Sequence, residues 1–209
     1  AEEACVSGPT PIPDDGSTLV VPIEILGAGP VESVEIDLDV THAWIGDLTI
    51  ELSREGVVVR LIDRTSLGTY PFGCGGDDVD ATFTDTGAVT APDLCSPTVS
   101  PMVFGAVAPL DALAGFVGVE AAGTWELRVI DAGAFDAGAL NDACLRVVAT
   151  PPPTGCVGDL DADDDTDVFD FGIFVSNFGA SVPVGTGGDL DDNGVVDVFD
   201  FALFAGDFG

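Results

Sequence analysis

The chain is predicted to be mainly β, a β-sandwich followed by a small α-helical module of two loop-helix units. Three observations carry that prediction. Short runs of alternating apolar and polar residues, rich in Val and Ile and broken by Gly and Pro, fill residues 18–149. An acidic loop of twelve residues occurs twice, thirty residues apart, at 159–170 and 189–200. Phenylalanines at helical spacing follow each copy.

The strand candidates are, in order, 19–25, 31–40, 47–52, 57–62, 79–83, 124–130 and 139–148. Breaks such as Gly27, Gly29 and Pro30, or Glu55 and Gly56, separate them. Period two with turn signals at this spacing predicts an antiparallel sandwich, and no run keeps a 3.6-residue period for ten residues. The sandwich is assigned to 1–150, a spacer to 151–157 and the acidic module to 158–209. Pro151, Pro152 and Pro153 make the spacer extended and semi-rigid.

In the loops, oxygen-bearing side chains fall at positions 1, 3, 5, 9 and 12: Asp159, Asp161, Asp163, Asp167 and Asp170, then Asp189, Asp191, Asn193, Asp197 and Asp200. Position 7, held by Asp165 and Val195, completes a ring suited to a hard cation with six to eight oxygen ligands. Two Ca2+ ions are therefore expected. A solvated acidic tail is the alternative. A tail would not need Val168, Phe169, Phe171, Phe174 and Phe178, which recur as Val198, Phe199, Phe201, Phe204 and Phe208. Gly179 and Gly209 stand where each helix would stop. No good helix precedes either loop, so the unit is half of an EF-hand, duplicated. Asp164 occupies position 6, where Gly is usual, and Asp stands at position 12, so the first site is expected to be the weaker.

The 37 acidic residues face five basic ones, all arginine, for a net charge of −32. No positive patch can be assembled for nucleic acid or an anionic membrane. Residues 158–209 hold thirteen Asp and no Lys, Arg or Glu, so folding and metal binding are expected to be coupled there. Acidity without lysine also suits a saline exterior. No stretch reaches the roughly 18 apolar residues of a membrane span. The start Ala1-Glu2-Glu3-Ala4 reads as the processed end of a chain expected to be secreted and extracellular, either released or associated with the cell surface. Five cysteines lack the spacing of a zinc or redox motif and predict disulfides. Cys74 with Cys95 would staple one long loop and Cys5 with Cys144 would tie the first strand region to the last. Cys156 is then the odd one, reduced, exchanged into a pair with Cys5, or linking two chains.

Several strings carry a family resemblance: Ile12-Pro13-Asp14, Thr41-His42-Ala43-Trp44-Ile45-Gly46-Asp47-Leu48, Thr82-Phe83-Thr84-Asp85, Pro109-Leu110 with Phe116, Gly123-Thr124-Trp125-Glu126-Leu127, and Asp136-Ala137-Gly138-Ala139-Leu140. Together these resemble the P-domain of proprotein convertases and bacterial subtilisin-like proteases. The resemblance implies a jelly-roll β-sandwich, an auxiliary module beside a catalytic domain. It departs in a cysteine-bearing insertion between Tyr70 and Ser100 and in Asp142-Ala143-Cys144 of the last strand. Residues 158–209 resemble the dockerin module, which implies two loop-helix units packed around their aromatic faces.

No catalytic residue is expected. His42 is the sole histidine, so a Ser-His-Asp triad has at most one base, and it reads better as a histidine hydrogen-bonded beside Trp44. Carboxylate pairs suited to glycoside hydrolysis arise by chance among so many acids. Asp47, Asp85, Asp131 and Asp136 are candidates for a further calcium site in the sandwich, against the reading that Asp47 and Asp136 cap turns beside Gly46 and Gly138. Trp44 and Trp125 read as core, not as a carbohydrate platform. The expected function is a non-catalytic, calcium-dependent adhesion or assembly protein. Its partner surface is Val168, Phe169, Val198 and Phe199, and its partner is either another copy, head to tail in a filament or surface layer, or a cohesin-like receptor.

Overall fold

A computed structural model of the chain describes residues 1–64, 74–91, 94, 98–150, 156–163 and 165–207. It divides into two compact units, Ala1–Pro152 and Pro153–Gly209.

The first unit is built from β1 (Glu2–Ile12), β2 (Thr18–Ile25), β3 (Val31–His42), β4 (Leu48–Arg54), β5 (Val57–Ile62), β6 (Val79–Phe83), β7 (Val89–Thr90), β8 (Val103–Ala108), β9 (Gly123–Asp131) and β10 (Gly138–Ala149). A six-stranded sheet runs in the order β1-β10-β3-β6-β8-β7 and a four-stranded sheet in the order β2-β9-β4-β5. Alternation makes these strands. In β9, Trp125, Leu127, Val129 and Asp131 are buried while the residues between them are not. In β3, Val34, Ile36, Leu38, Val40 and His42 are buried opposite Glu35, Asp37, Asp39 and Thr41. The inward residues of both sheets join in one hydrophobic core, each large side chain contributing about 1.5–3 kcal/mol on full burial. Trp125 is at its centre, with its ring edge-on to Phe116 at 4.9 Å and its indole N–H donated to the Ala121 carbonyl at 2.9 Å.

Three expectations need correction. The sandwich is not wholly antiparallel, because β6 and β7 both pair parallel to β8. Parallel neighbours need a long crossover, and the stretch 84–102 between β6 and β8 supplies it. Strand β1 was not foreseen, since Pro9, Pro11 and few large apolar residues hide its pattern; it lies at the sheet edge, where proline is tolerated. Trp44 is only half-buried and precedes a 3-10 turn at Ile45–Asp47, so Asp47 belongs to that turn and not to β4.

Cys5 and Cys144 face one another in the β1–β10 register and form a disulfide. Cys74 is buried and disulfide-bonded, whereas Cys95 lies outside the described residues. Cys156 remains a thiol.

The second unit holds α1 (Val168–Asn177) and α2 (Val198–Asp207). Phe174, Val196 and Phe204 are buried in its core, with Leu160, Val182 and Leu190 packed around them. The rings of Phe174 and Phe204 stack at 5.3 Å, and Phe171 lies 6.5 Å from Phe201, so the two helices meet through the recurring phenylalanines. Phe178 is the C-cap of α1 and exposed, although its ring stays 5.9 Å from that of Phe174. Phe208 and Gly209 lie outside the described residues.

Candidate metal centre

Each acidic loop is closed by its last residue. Asp170 Oδ1 accepts the backbone N–H groups of Leu160 and Asp161 at 2.6 and 3.0 Å, and its Oδ2 accepts that of Asp167 at 2.8 Å. Asp200 repeats the pattern with Leu190 and Asp191 at 2.7 and 3.0 Å and Asp197 at 2.7 Å. Both carboxylates are fully buried. Burial alone would push them up; the backbone N–H bonds outweigh it and hold both below the usual carboxylate range. Position 9 starts the helix. Asp167 accepts from Phe169 N at 2.7 Å and Asp197 from Phe199 N at 2.8 Å, and with Asp170 the first forms a capping box.

In the first loop, carboxylate oxygens of Asp159, Asp161, Asp163 and Asp170 lie within 4.8 Å of one another, and those of Asp165, Asp167 and Asp170 form a second group. In the second loop Asp189, Asp191 and Asp200 converge within the same limit. Oxygens 2.3–2.6 Å from one ion can be no farther apart than about 4.6–5.2 Å, so these groups fit calcium, and an all-oxygen donor set suits a hard cation. Asn193 donates to Asp191 Oδ2 at 2.9 Å and accepts from Val195 N at 2.8 Å, while Val195 forms a bridge with Ser181. Partial loss of water and then the neighbouring carboxylates, Asp163 foremost, raise Asp161 and Asp165 above the ordinary value. A divalent ion would relieve that repulsion.

Backbone strain is also repeated. Position 4 takes a left-handed conformation in both loops, at Ala162 (φ 66°) and Asp192 (φ 60°), and Gly194 at position 6 does so at φ 82°. Asp164, the sequence-based source of strain, lies outside the described residues.

Two residues were not foreseen. Asp207 Oδ2, at the end of α2, accepts Gly158 N at 3.0 Å and Thr166 Oγ1 at 3.1 Å, ahead of and within the first loop. Asn177, at the end of α1, donates to the Gly187 carbonyl at 2.9 Å, just ahead of the second loop. Each helix end thus holds the other repeat. Their offset of thirty was the available signal.

The further candidates in the sandwich do not form one group. Asp85 accepts Leu113 N and Ala114 N, both at 2.7 Å, and so caps the 3-10 turn Leu113–Phe116. Asp131 is fully buried, 3.1 Å from His42 Nε2, and accepts Gly133 N at 3.1 Å. His42 Nδ1 meets the Trp44 backbone, 2.9 Å from its carbonyl and 3.1 Å from its N–H. Asp47 is 8% exposed and 3.6 Å from Arg64. Burial raises Asp47 above the usual range, Arg64 opposes it, and Asp131 and Asp136 add to the rise. Among the described residues these acids do not converge as the loop carboxylates do.

The sequence signature of the proprotein convertase P-domain matches residues 31–147, more than half of the chain. The chain belongs to the P-domain family. A P-domain is an auxiliary, non-catalytic domain. Its match spans β3 to β10 and leaves out both acidic loops. No curated protein matches the sequence. The fold is similar to that of an Aeromonas sobria serine protease, at 19% identity and a TM-score of 0.45, covering 72% of this chain and 27% of that one. The same protease in complex with its chaperone ORF2 matches at 18% identity and a TM-score of 0.46, covering 73% of this chain and 27% of that one. A third structure, described as FLHE, is 12% identical with a TM-score of 0.41, covering 69% and 91%. The chain thus spans about a quarter of the protease's length. Among the described residues no helix is long and apolar enough to cross a membrane.

Proposed function

We propose that this chain is a non-catalytic, calcium-dependent assembly protein of the cell exterior: a jelly-roll P-domain joined to a dockerin-like calcium module that docks head to tail with further copies. One observation carries the reading. Immediately after each cation-fitting loop, an unpacked pair of large apolar side chains opens the helix: Val168 and Phe169, 64% and 68% exposed, then Val198 and Phe199, 62% and 68% exposed. Four such side chains on one small unit are more than an isolated surface needs, and apolar patches of this kind mark contacts.

Asp159, Asp161, Asp163 and Asp170 would hold one Ca2+, and Asp189, Asp191 and Asp200 another, with Asn193 and the Val195 carbonyl within the same loop. Bound calcium supplies charge neutralisation and no chemistry of its own. The Cys5–Cys144 disulfide supports an oxidising, extracellular setting. A contact between unlike surfaces repeats into a filament or layer unless it closes into a ring.

Size-exclusion chromatography with light scattering, in millimolar calcium and again in excess chelator, tests the reading. Large species with calcium that fall to monomers in chelator are expected. Monomers in both conditions would overturn self-assembly and leave a cohesin-like receptor as the partner of the Val-Phe pairs.

A further inference from the structure

The two acidic loops are held in unlike ways. The second is tied by backbone: the chain that leaves α1 runs beside it, with Gly179 N–H donated to the Val196 carbonyl at 2.7 Å, Val196 N–H to that of Ala180 at 3.0 Å and Val182 N–H to that of Gly194 at 3.1 Å, around the Ser181–Val195 bridge. Positions 6 to 8 of that loop are thereby fixed. Among the described residues the first loop has no such ladder. Its position 8, Thr166, is buried and donates its hydroxyl to Asp207 Oδ2 at 3.1 Å, and the same oxygen accepts the N–H of Gly158, the residue before position 1, at 3.0 Å. The first loop is thus held from α2.

That helix starts in the second loop. Asp200, which closes the second loop, and Asp207 both lie on α2, about two turns or roughly 10 Å apart. A helix of this length turns as one piece, so ordering Asp200 places Asp207, and Asp207 places Gly158 and Thr166 on either side of Asp159, Asp161 and Asp163. The fit has little slack: a methyl group on Gly158 would stand 2.5 Å from Thr166 Cγ2 and 3.0 Å from the Phe204 ring. Nor does packing do the work alone, since only Phe174, Val196 and Phe204 form the core of the unit. The return route through α1 is the weaker one. Asn177 reaches the Gly187 carbonyl by a neutral bond, about half as strong as a charge-assisted one, beside a loop that already has its ladder.

We propose that Asp207 is a positioning residue that makes the cation affinity of the first loop depend on the second, an assignment that rests on the calcium reading above. Calcium titration of the full chain, followed by NMR at the amides of Leu160 and Leu190, reads the loops separately, because each amide is donated to the closing carboxylate of its own loop. In the parent the second loop is expected to fill first. Asp207→Ala should weaken the first loop by about tenfold or more and the second by less than about twofold. Asp207→Asn keeps an acceptor oxygen and should lose less than about threefold. Gly158→Ala, which wedges the same contact while Asp207 stays, should act like Asp207→Ala. With the second loop disabled by Asp189→Asn/Asp191→Asn, the first should lose about tenfold in the parent, and less than about twofold further when Asp207 is already replaced by Ala. Equal weakening of both loops by Asp207→Ala, or of neither, overturns the positioning role and leaves the calcium reading standing. A parent in which neither amide responds to millimolar calcium overturns both.

Discussion

Replacing Asp200 by Asn asks whether position 12 closes its loop through hydrogen bonds of the protein itself. The native carboxylate accepts three backbone N–H groups, at 2.7, 3.0 and 2.7 Å, from a fully buried position. An Asn amide has one oxygen. If that oxygen keeps Leu190 and Asp191, the new NH2 group points at the Asp197 N–H, donor against donor. At least one charge-assisted bond is lost, about 1.5–3 kcal/mol. Units of this size rarely have more than roughly 3–5 kcal/mol to lose. At about 4–8 °C per kcal/mol, the midpoint should fall by roughly 6–24 °C.

Alanine removes all three bonds at once and should leave the second unit unfolded. Circular dichroism at 222 nm in excess chelator follows the change, because among the described residues the α-helices lie only in the second unit. Asp170→Asn should behave alike, since its three bonds are equivalent. A melt of Asp200→Asn within about 0.5 kcal/mol of the parent would refute the closing role and leave the residue as a cation ligand alone.

Three further outcomes are expected. Asp131→Ala should destabilise the first unit by about 1–3 kcal/mol because His42 Nε2 is left buried without its hydrogen-bond partner, whereas the double variant His42→Leu/Asp131→Leu should cost less than the single one; denaturant melts compare them. Burial raises Asp37 but its bonds to Arg146 and Thr82 prevail and lower it, so the stability it adds is complete above its unfolded value of about 3.9 and is lost as pH falls through the lower folded value. Melts of Asp37→Asn against the parent from pH 5 to 2 should converge at the acid end. Replacing Cys5 and Cys144 by Ala frees a separation of 139 residues, for which chain entropy predicts up to about 5 kcal/mol; a loss below about 1 kcal/mol would show that the β1–β10 ladder holds the ends together unaided.

Alternation and spacing were the legible parts of this sequence. β3 and β9 could be read because one face of each is buried and the other is wet, so period two is written into the residues. The loops could be read because cation ligation by carboxylates restricts which positions carry oxygen. β1 and β8 could not. β1 is an edge strand of prolines and small residues, and β8 contains Gly105 in a left-handed conformation, so neither shows alternation over its length. Nor could the division among the sandwich acids be foreseen. Asp85 and Asp131 are one residue type in similar turn contexts, yet one caps a 3-10 turn and the other faces a histidine from across the core.

The duplication bears on how a cation would act. Loop closure runs through bonds between protein atoms: Asp170 and Asp200 to the backbone within each loop, and Asp207 and Asn177 from each helix end to the other repeat. Those bonds are made between protein atoms, and a cation is not one of their partners. What they leave uncompensated is the repulsion among Asp159, Asp161 and Asp163, and between the whole acidic unit and a second chain of net charge −32. Calcium on the proposed reading would then act chiefly by lowering the charge that keeps the Val-Phe pairs of one copy from the face of another. Raised monovalent salt screens the same repulsion beyond about 8–10 Å. It should therefore recover part of the assembly of a variant with Asp189 and Asp191 both changed to Asn, and none of the assembly of Phe169→Ala/Phe199→Ala. Equal rescue of both, read by light scattering, would show that charge and not the apolar pairs makes the contact.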